Sequence, residues 1–290
     1  WRSPVTSPTS KTSSSPTTTE VPAMLRDAFF KGLRDQRRAL LFWSLALAAY
    51  ALLLAFLFPS IRESAADMQS YVESMPEAVR NAFMGESTDF SQPMTFLDAE
   101  LFSLMTPLLL LVFAIGLAAA QIAGEEEGGS LSLLLAYPVS RTRLVAQKLG
   151  VLLTGIAVVT AVHLGALALG SLATDMELTA AQLIEAHVNL GLLVAAVATV
   201  AFAAGAATGR RALAVTAGAG LAAVAYLLNV LAPLIERLEP LRYASLFYYY
   251  GGAEPMRLGV RPAHAAALLG VTVVAVAVAF VTFERRDVRV

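Results

Sequence analysis

The residues that could do chemistry are concentrated in one polar segment between two apolar stretches. Three consecutive glutamates, Glu125–Glu127, are followed by Gly128 and Gly129, a leucine-rich stretch, Pro138 and Arg141. Each charge would be costly in hydrocarbon, so the segment must lie at a membrane surface if its neighbours cross a bilayer. A solvated loop is the simplest interpretation, but its four leucines would be unfavourable unless lipid or a partner covered them. The segment is therefore predicted to contact another protein.

The sequence lacks the common motifs of enzyme active sites. It has no cysteine, which excludes disulfides, thiolate metal sites and cysteine nucleophiles. No G-x-x-x-x-G-K-[ST] loop is present, because Gly205 and Gly209 are followed by Arg210 and Arg211 at the wrong spacing. Neither H-E-x-x-H nor G-x-S-x-G occurs, and no basic stripe predicts nucleic-acid binding. We expect no catalytic residue, metal or cofactor in this chain, and no ATP hydrolysis by it.

The apolar stretches are typical of a membrane protein. The 290 residues are 57% hydrophobic and 15% charged, with a mean hydropathy of +0.65. Soluble domains have about 45–50% apolar and about 25% charged residues. The excess falls in stretches of about 20 residues, the length that crosses roughly 30 Å of hydrocarbon. The sequence predicts an all-α membrane protein with six transmembrane helices at 39–58, 102–123, 149–173, 183–207, 212–235 and 263–283.

Two further segments precede the first span. Residues 1–23 are rich in Ser, Thr and Pro, which predicts a disordered tail, and Met24 is a candidate start residue of the protein, followed by the membrane domain, 24–290. Met24–Arg38 separates apolar from basic residues, as in an amphipathic helix that lies in the membrane interface. A basic flank that fixes orientation is the alternative. The residues of the predicted interfacial helix are Phe29, Phe30, Arg34, Arg37 and Arg38.

The distribution of Lys and Arg predicts the orientation of the spans. An internal N-terminus places most of the 21 Lys and Arg residues on the inside. The positive-inside rule then puts both termini, and the segment 124–148, in the cytoplasm. On the opposite side, the tyrosines at 243–250 predict either anchoring in the membrane interface or a re-entrant hairpin.

Few polar residues within the spans could belong to a transport pathway. His163 and Asn229 are the candidates, although a helix–helix hydrogen bond is the simpler role for His163. Ion-driven carriers usually keep an ionisable group or an unwound helix near the middle of the bilayer. The scarcity of such groups argues against a self-powered carrier and favours energy supplied from outside the membrane.

The polar segment resembles that of a known family, the permease subunits of type-2 ATP-binding-cassette (ABC) transporters. Residues 122–141, IAGEEEGGSLSLLLAYPVSR, followed by Lys148, are similar to the acidic pair, glycine, leucine-rich helix and Pro-[Val/Ile]-Ser-Arg of that family. The close of the last span, FERRD at 283–287, and YYYGGAEP at 248–255 are similar to other parts of it. The resemblance covers residues 24–290.

The resemblance implies an exporter permease that pairs with a second copy or a sister permease in a prokaryotic plasma membrane. Two cytoplasmic ATPase subunits would bind ATP and Mg²⁺ and hold the coupling segment, 124–148. The glutamates would meet basic or polar ATPase groups, the glycines would allow a tight turn, and the arginine would brace the far end. The implied coupling residues are Glu125, Glu126, Glu127, Gly128, Gly129, Leu133, Pro138 and Arg141.

The apolar spans favour a small amphipathic or lipid-like substrate. Two alternatives stay open: a secondary transporter driven by an ion gradient, and a membrane scaffold or assembly protein that transports nothing.

Overall fold

The computed structural model describes residues 20–64, 74–76, 89–129, 131, 140–252 and 254–286. Every regular element within these residues is helical, as predicted. A helix suits a chain in hydrocarbon because it satisfies its own backbone N–H and C=O groups where water is absent. The α-helices are α1 (Glu20–Glu63), α2 (Pro93–Leu97), α3 (Met105–Gln121), α4 (Ala123–Glu127), α5 (Arg141–Ala173), α6 (Ala180–Thr208), α7 (Arg211–Leu231), α8 (Leu246–Tyr250), α9 (Pro255–Leu258) and α10 (Pro262–Arg285), and two 3-10 helices, Ala232–Leu234 and Glu239–Ala244, follow α7.

Six helical segments in the described part of the chain are long and apolar enough to cross a membrane, which confirms the predicted number. The second begins at Pro93, earlier than predicted, because α2 and a π-helical turn, Asp98–Phe102, extend it before α3. The cytoplasmic placement of both termini stays a prediction. The six segments are Phe29–Glu63, Pro93–Gln121, Arg141–Ala173, Ala180–Thr208, Arg211–Leu234 and Pro262–Arg285.

Helix α1 joins the predicted interfacial helix and the first span in one helix of 44 residues. It begins at Glu20, so the last four residues of the predicted tail are helical, whereas residues 1–19 lie outside the described part. The extension packs on α5, where a Cβ added to Gly150 would lie 3.2 Å from the ring of Phe29. This packing covers an apolar side chain before the span begins, which favours one continuous helix over a separate interfacial one.

Small residues let α1 and α5 approach closely. Gly155 lies beside Leu40, and further along Gly170 lies beside Ala55, where an added Cβ would come within 2.5 Å of the Ala55 Cβ. Residue numbers rise together along the two helices, so α1 and α5 run in the same direction. This agrees with an alternating topology, in which the first and third spans cross the membrane the same way.

Helix α6 forms the centre of the bundle and packs against α3, α5, α7 and α10. In its most apolar stretch 67% of the residues are buried, against 28% in α1 and 22% in each of α7 and α10. Thr179 and Gln182 form a capping box at its start, and Gly209 ends it with φ +65°, which glycine adopts without strain. The peripheral helices α1, α7 and α10 present apolar faces outward, to lipid or to another chain.

The end of the bundle opposite Glu125–Glu127 is closed by α8 and α9, which come from the tyrosine-rich loop. Tyr250 is fully buried, and its hydroxyl donates a hydrogen bond to the carbonyl of Phe102 at 3.0 Å. Burial raises the pKa of Tyr250 well above its usual value, and the charge of Asp98 adds to the effect, so the hydroxyl keeps its proton. Asp98 accepts the backbone N–H of Met256 at 2.9 Å, at the start of α9. These contacts favour a hairpin folded back on the bundle over simple anchoring.

Candidate functional site

The polar segment starts with the short helix α4, which carries the three glutamates. The N–H of Gly128 donates to the carbonyl of Gly124 at 3.0 Å and ends the helix. Gly129 follows with φ +72°, where any other side chain would strain the backbone. The two glycines therefore form the tight turn that the sequence predicts. Leu133 and Pro138, the other predicted residues of this segment, lie outside the described part of the chain.

Glu125 and Glu126 form ion pairs with cations at the ends of two other helices. Glu125 pairs with Lys148 of α5, whose side chain is only 5% exposed. Glu126 is 4% exposed and pairs with Arg286, the residue after α10. Arg286 holds both carboxylate oxygens, its Nη1 donating to Oε1 at 3.1 Å. Such pairing is required here, because a carboxylate buried alone would be strongly destabilising.

Two further contacts of this region cap helix ends. Glu127 accepts a hydrogen bond from the backbone N–H of Arg211, the first residue of α7, at 2.9 Å. A carboxylate is favourable there because a helix N-terminus carries a partial positive charge. Arg141 of α5 donates to carbonyls at the C-terminal end of α10, including that of Phe283 at 3.3 Å. A cation is favourable at that end for the complementary reason.

Six of the residues that make these contacts, named at the end of this paragraph, form what we call the ion-pair cluster. They come from four separate parts of the sequence and connect the ends of α4, α5, α7 and α10. The family resemblance implies that the glutamates contact an ATPase, whereas here each has a partner in its own chain. Arg286 was not among the predicted site residues, although a cation after the last span and acids after the second are complementary charges on the same predicted side. The members are Glu125, Glu126, Glu127, Arg141, Lys148 and Arg286.

The candidate residues of the predicted interfacial helix lie at the start of α1. Phe29 is partly buried against α5, whereas Phe30, Arg34, Arg37 and Arg38 are exposed. Their spacing of three and four residues places these four on one side of the helix. That exposed side continues into the apolar outer face of the first span, so its arginines lie at the end of the span, next to the edge of the hydrocarbon.

The candidate pathway residue His163 is buried in a contact between α5 and α6. Its Nδ1 lies 2.9 Å from Nε2 of His187, whose Nδ1 lies 2.6 Å from the carbonyl oxygen of Leu183. Because a carbonyl only accepts, His187 Nδ1 carries a proton and His163 Nδ1 donates to His187 Nε2. No acidic side chain among the described residues hydrogen bonds to either ring. This geometry fits the helix–helix hydrogen bond, and a transport role for His163 stays a prediction.

An apolar groove of about 370 Å³ lies between α3, α7 and α8. Leu and Ala side chains dominate its walls, and Tyr226 contributes the one hydroxyl group among its lining residues. Neither His163 nor Asn229 lines it; Asn229 is near Gly252, at the end of the bundle closed by α8 and α9. The groove was not predicted from the sequence, because its walls come from helices that are distant in the chain. Its walls include Leu108, Leu111, Ile115, Ala222, Tyr226 and Phe247.

Six helices long and apolar enough to cross a membrane, an ion-pair cluster at one end and an apolar groove between two of the helices define a polytopic helical membrane protein. The family model described as "ABC-2 family transporter protein" matches residues 29–288, and the chain belongs to this family. No curated protein matches the chain. The resemblance to ABC permeases is thereby confirmed, and membership of this family implies partnering with ATPase subunits in a membrane transporter.

Proposed function

We propose that the chain is the permease subunit of an exporter of small amphipathic or lipid-like molecules. Two separate cytoplasmic ATPase subunits would bind ATP and Mg²⁺ and supply the energy. A second permease, identical or related, would complete the pathway in the plasma membrane of a prokaryotic cell. Family membership supports the ATPase partnership. The proposed substrate class rests on the apolar groove between α3 and α7.

The groove favours apolar ligands for a simple energetic reason. Almost all of its lining side chains are hydrocarbon, so an ion or sugar would lose its hydration without replacement hydrogen bonds. An apolar surface gains about 25 cal/mol for each Å² removed from water. The hydroxyl of Tyr226 can orient one polar group, which suits a molecule with an apolar body and a polar head.

Force would reach the spans through the coupling segment, 124–148. This segment connects α3, one wall of the groove, to α5, and Glu127 contacts the start of α7, the opposite wall. A displacement of the segment by the ATPase subunits would therefore change the separation of the two walls.

Transport by reconstituted vesicles tests this function. We expect export of a fluorescent phospholipid analogue from vesicles that hold the chain with its ATPase subunits and ATP. Vesicles that hold the chain alone should show none. Transport by the chain alone under an ion gradient would contradict the proposal and favour a secondary carrier. ATPase binding without any transport of amphipathic probes would favour a scaffold.

Two substitutions separate the pathway from the coupling. Ala222→Trp should fill the groove and reduce transport while ATPase binding persists, whereas Ala266→Trp, at an exposed position of α10, should change neither. Gly128→Pro removes the N–H that donates to Gly124 and should uncouple ATP hydrolysis from transport. Equal transport by Ala222→Trp and Ala266→Trp would show that substrate does not use the groove.

A further inference from the structure

The acidic character of the segment 124–129 is largely hidden inside the protein. Glu125 and Glu126 are engaged by Lys148 and Arg286, and the carboxylate of Glu126 is almost fully buried. Glu127 alone of the three is exposed. A partner that approaches this end of the bundle would therefore meet few of the carboxylates that the sequence places there.

Arginines dominate the exposed charges around the cluster. Four of them are exposed, and no ion pair joins their side chains to an acid within the described residues. They neighbour the cluster, since the backbone N–H of Arg211 donates to Glu127, and Arg285 precedes Arg286. The exposed acids at this end are Asp35, Glu127 and Glu284, and the exposed Lys and Arg residues outnumber them, so the described surface is net positive. We call the four residues the arginine rim: Arg143, Arg210, Arg211 and Arg285.

The depth of Arg143 favours a protein partner over lipid. The predicted third span begins at Leu149, and Arg143 precedes it by six residues, or about 9 Å along α5. The lipid headgroup layer extends only roughly 5–8 Å beyond the hydrocarbon. Arg143 therefore projects past the headgroups, toward a protein in the adjoining aqueous compartment, whereas Arg210, Arg211 and Arg285 lie within three residues of the predicted span ends.

We propose that this end of the chain docks on an acidic surface of the ATPase subunit through the arginine rim, while Glu125 and Glu126 act inside the chain as a clamp. The inference rests on the proposed function. The family resemblance implies that negatively charged glutamates of this chain contact basic ATPase groups, whereas here positively charged arginines would contact acidic ones. Complementary charge orients the two proteins and accelerates their encounter.

The clamp joins helix ends within the chain, whereas the arginine rim would bind the ATPase. Glu126 connects α4 to the end of α10 through Arg286, and Glu125 connects it to α5 through Lys148. Because these ion pairs are largely buried, the helix ends move with the segment as one body. Glu126 is thus a positioning residue: it acts through Arg286 and does not touch the ATPase.

Affinity measurements test the rim. The full-length chain, in phosphatidylcholine nanodiscs with and without phosphatidylglycerol, is titrated with the purified ATPase whose gene adjoins its own. Arg143→Glu/Arg210→Glu should weaken binding about ten-fold or more, in both lipids, with a smaller difference at high salt. Arg237→Glu/Arg261→Glu, at exposed arginines of the opposite end, should bind like the unmodified chain.

A charge exchange tests the clamp. Glu126→Arg should reduce ATP-driven transport, and the double variant Glu126→Arg/Arg286→Glu should restore most of it, because the pair is rebuilt with its charges exchanged. If Glu126 contacted the ATPase instead, the exchange would restore nothing. Should Glu126→Arg alone fail to fold, the folding and transport of the exchanged double variant still decide the question.

Three results would overturn the inference. They are unchanged ATPase affinity of the rim variant, a loss of phosphatidylglycerol binding in place of ATPase binding, and no recovery on charge exchange. An unmodified chain that binds no ATPase would instead refute the proposed function, so the two failures are distinguishable.

Discussion

Gly170→Ala tests the close parallel packing of α1 on α5. The added Cβ would lie 2.5 Å from the Cβ of Ala55, whereas carbon atoms in favourable contact are about 3.5–4.0 Å apart. The two helices would therefore have to separate by about 1 Å at this point. Overpacking of this kind destabilises a protein by about 1–3 kcal/mol. We expect the variant to unfold several degrees below the unmodified protein.

The assay is thermal unfolding of the purified chain in detergent, and the same helix supplies the control. Gly165 has no heavy atom within 4 Å of an added Cβ, so Gly165→Ala makes the same chemical change without the clash. It should leave stability unchanged or slightly higher, since alanine favours helix more than glycine does. Equal unfolding temperatures for the two variants would refute the packing of α1 on α5, and with it the continuous first helix.

Three further predictions concern other parts of the chain. Asp98→Ala leaves a buried backbone N–H of α9 without an acceptor and should lower the unfolding temperature by the equivalent of about 1–3 kcal/mol; an unchanged temperature would contradict the capping role. Gly129→Val should be destabilising by about 1–2 kcal/mol because its φ is positive, whereas Gly128→Ala, at φ −79°, should lose less in the same unfolding assay. Glutamine at the three exposed arginines of α1 should reduce retention of phosphatidylglycerol, measured by native mass spectrometry, since these residues lie at headgroup depth; equal retention would place them elsewhere. The three arginines are Arg34, Arg37 and Arg38.

Local patterns predicted the helices and their number but not all of their limits. Hydropathy located the six spans, because a long apolar segment in lipid forms a helix that satisfies its own backbone hydrogen bonds, whatever its neighbours are. It did not predict that α1 would extend unbroken from Glu20, since this depends on the contact of Phe29 with Gly150 across the α1–α5 interface. The second span was predicted to start too late for a related reason: the polar residue Asp98 is accommodated by contacts with α9, which the local sequence does not reveal.

The glutamate triplet separates what the sequence by itself determined from what only the tertiary structure decided. The sequence determined that Glu125–Glu127 lie at a membrane surface next to a tight turn, because charge is excluded from hydrocarbon and glycine permits the turn. Only the tertiary structure decided which cations they meet. Glu126 and Arg286 are 160 residues apart in the chain, and their contact depends on how the bundle brings the ends of α4 and α10 together. The exclusion of charge from hydrocarbon can be read from the local sequence, whereas the choice of an ion-pair partner depends on how the helices pack together.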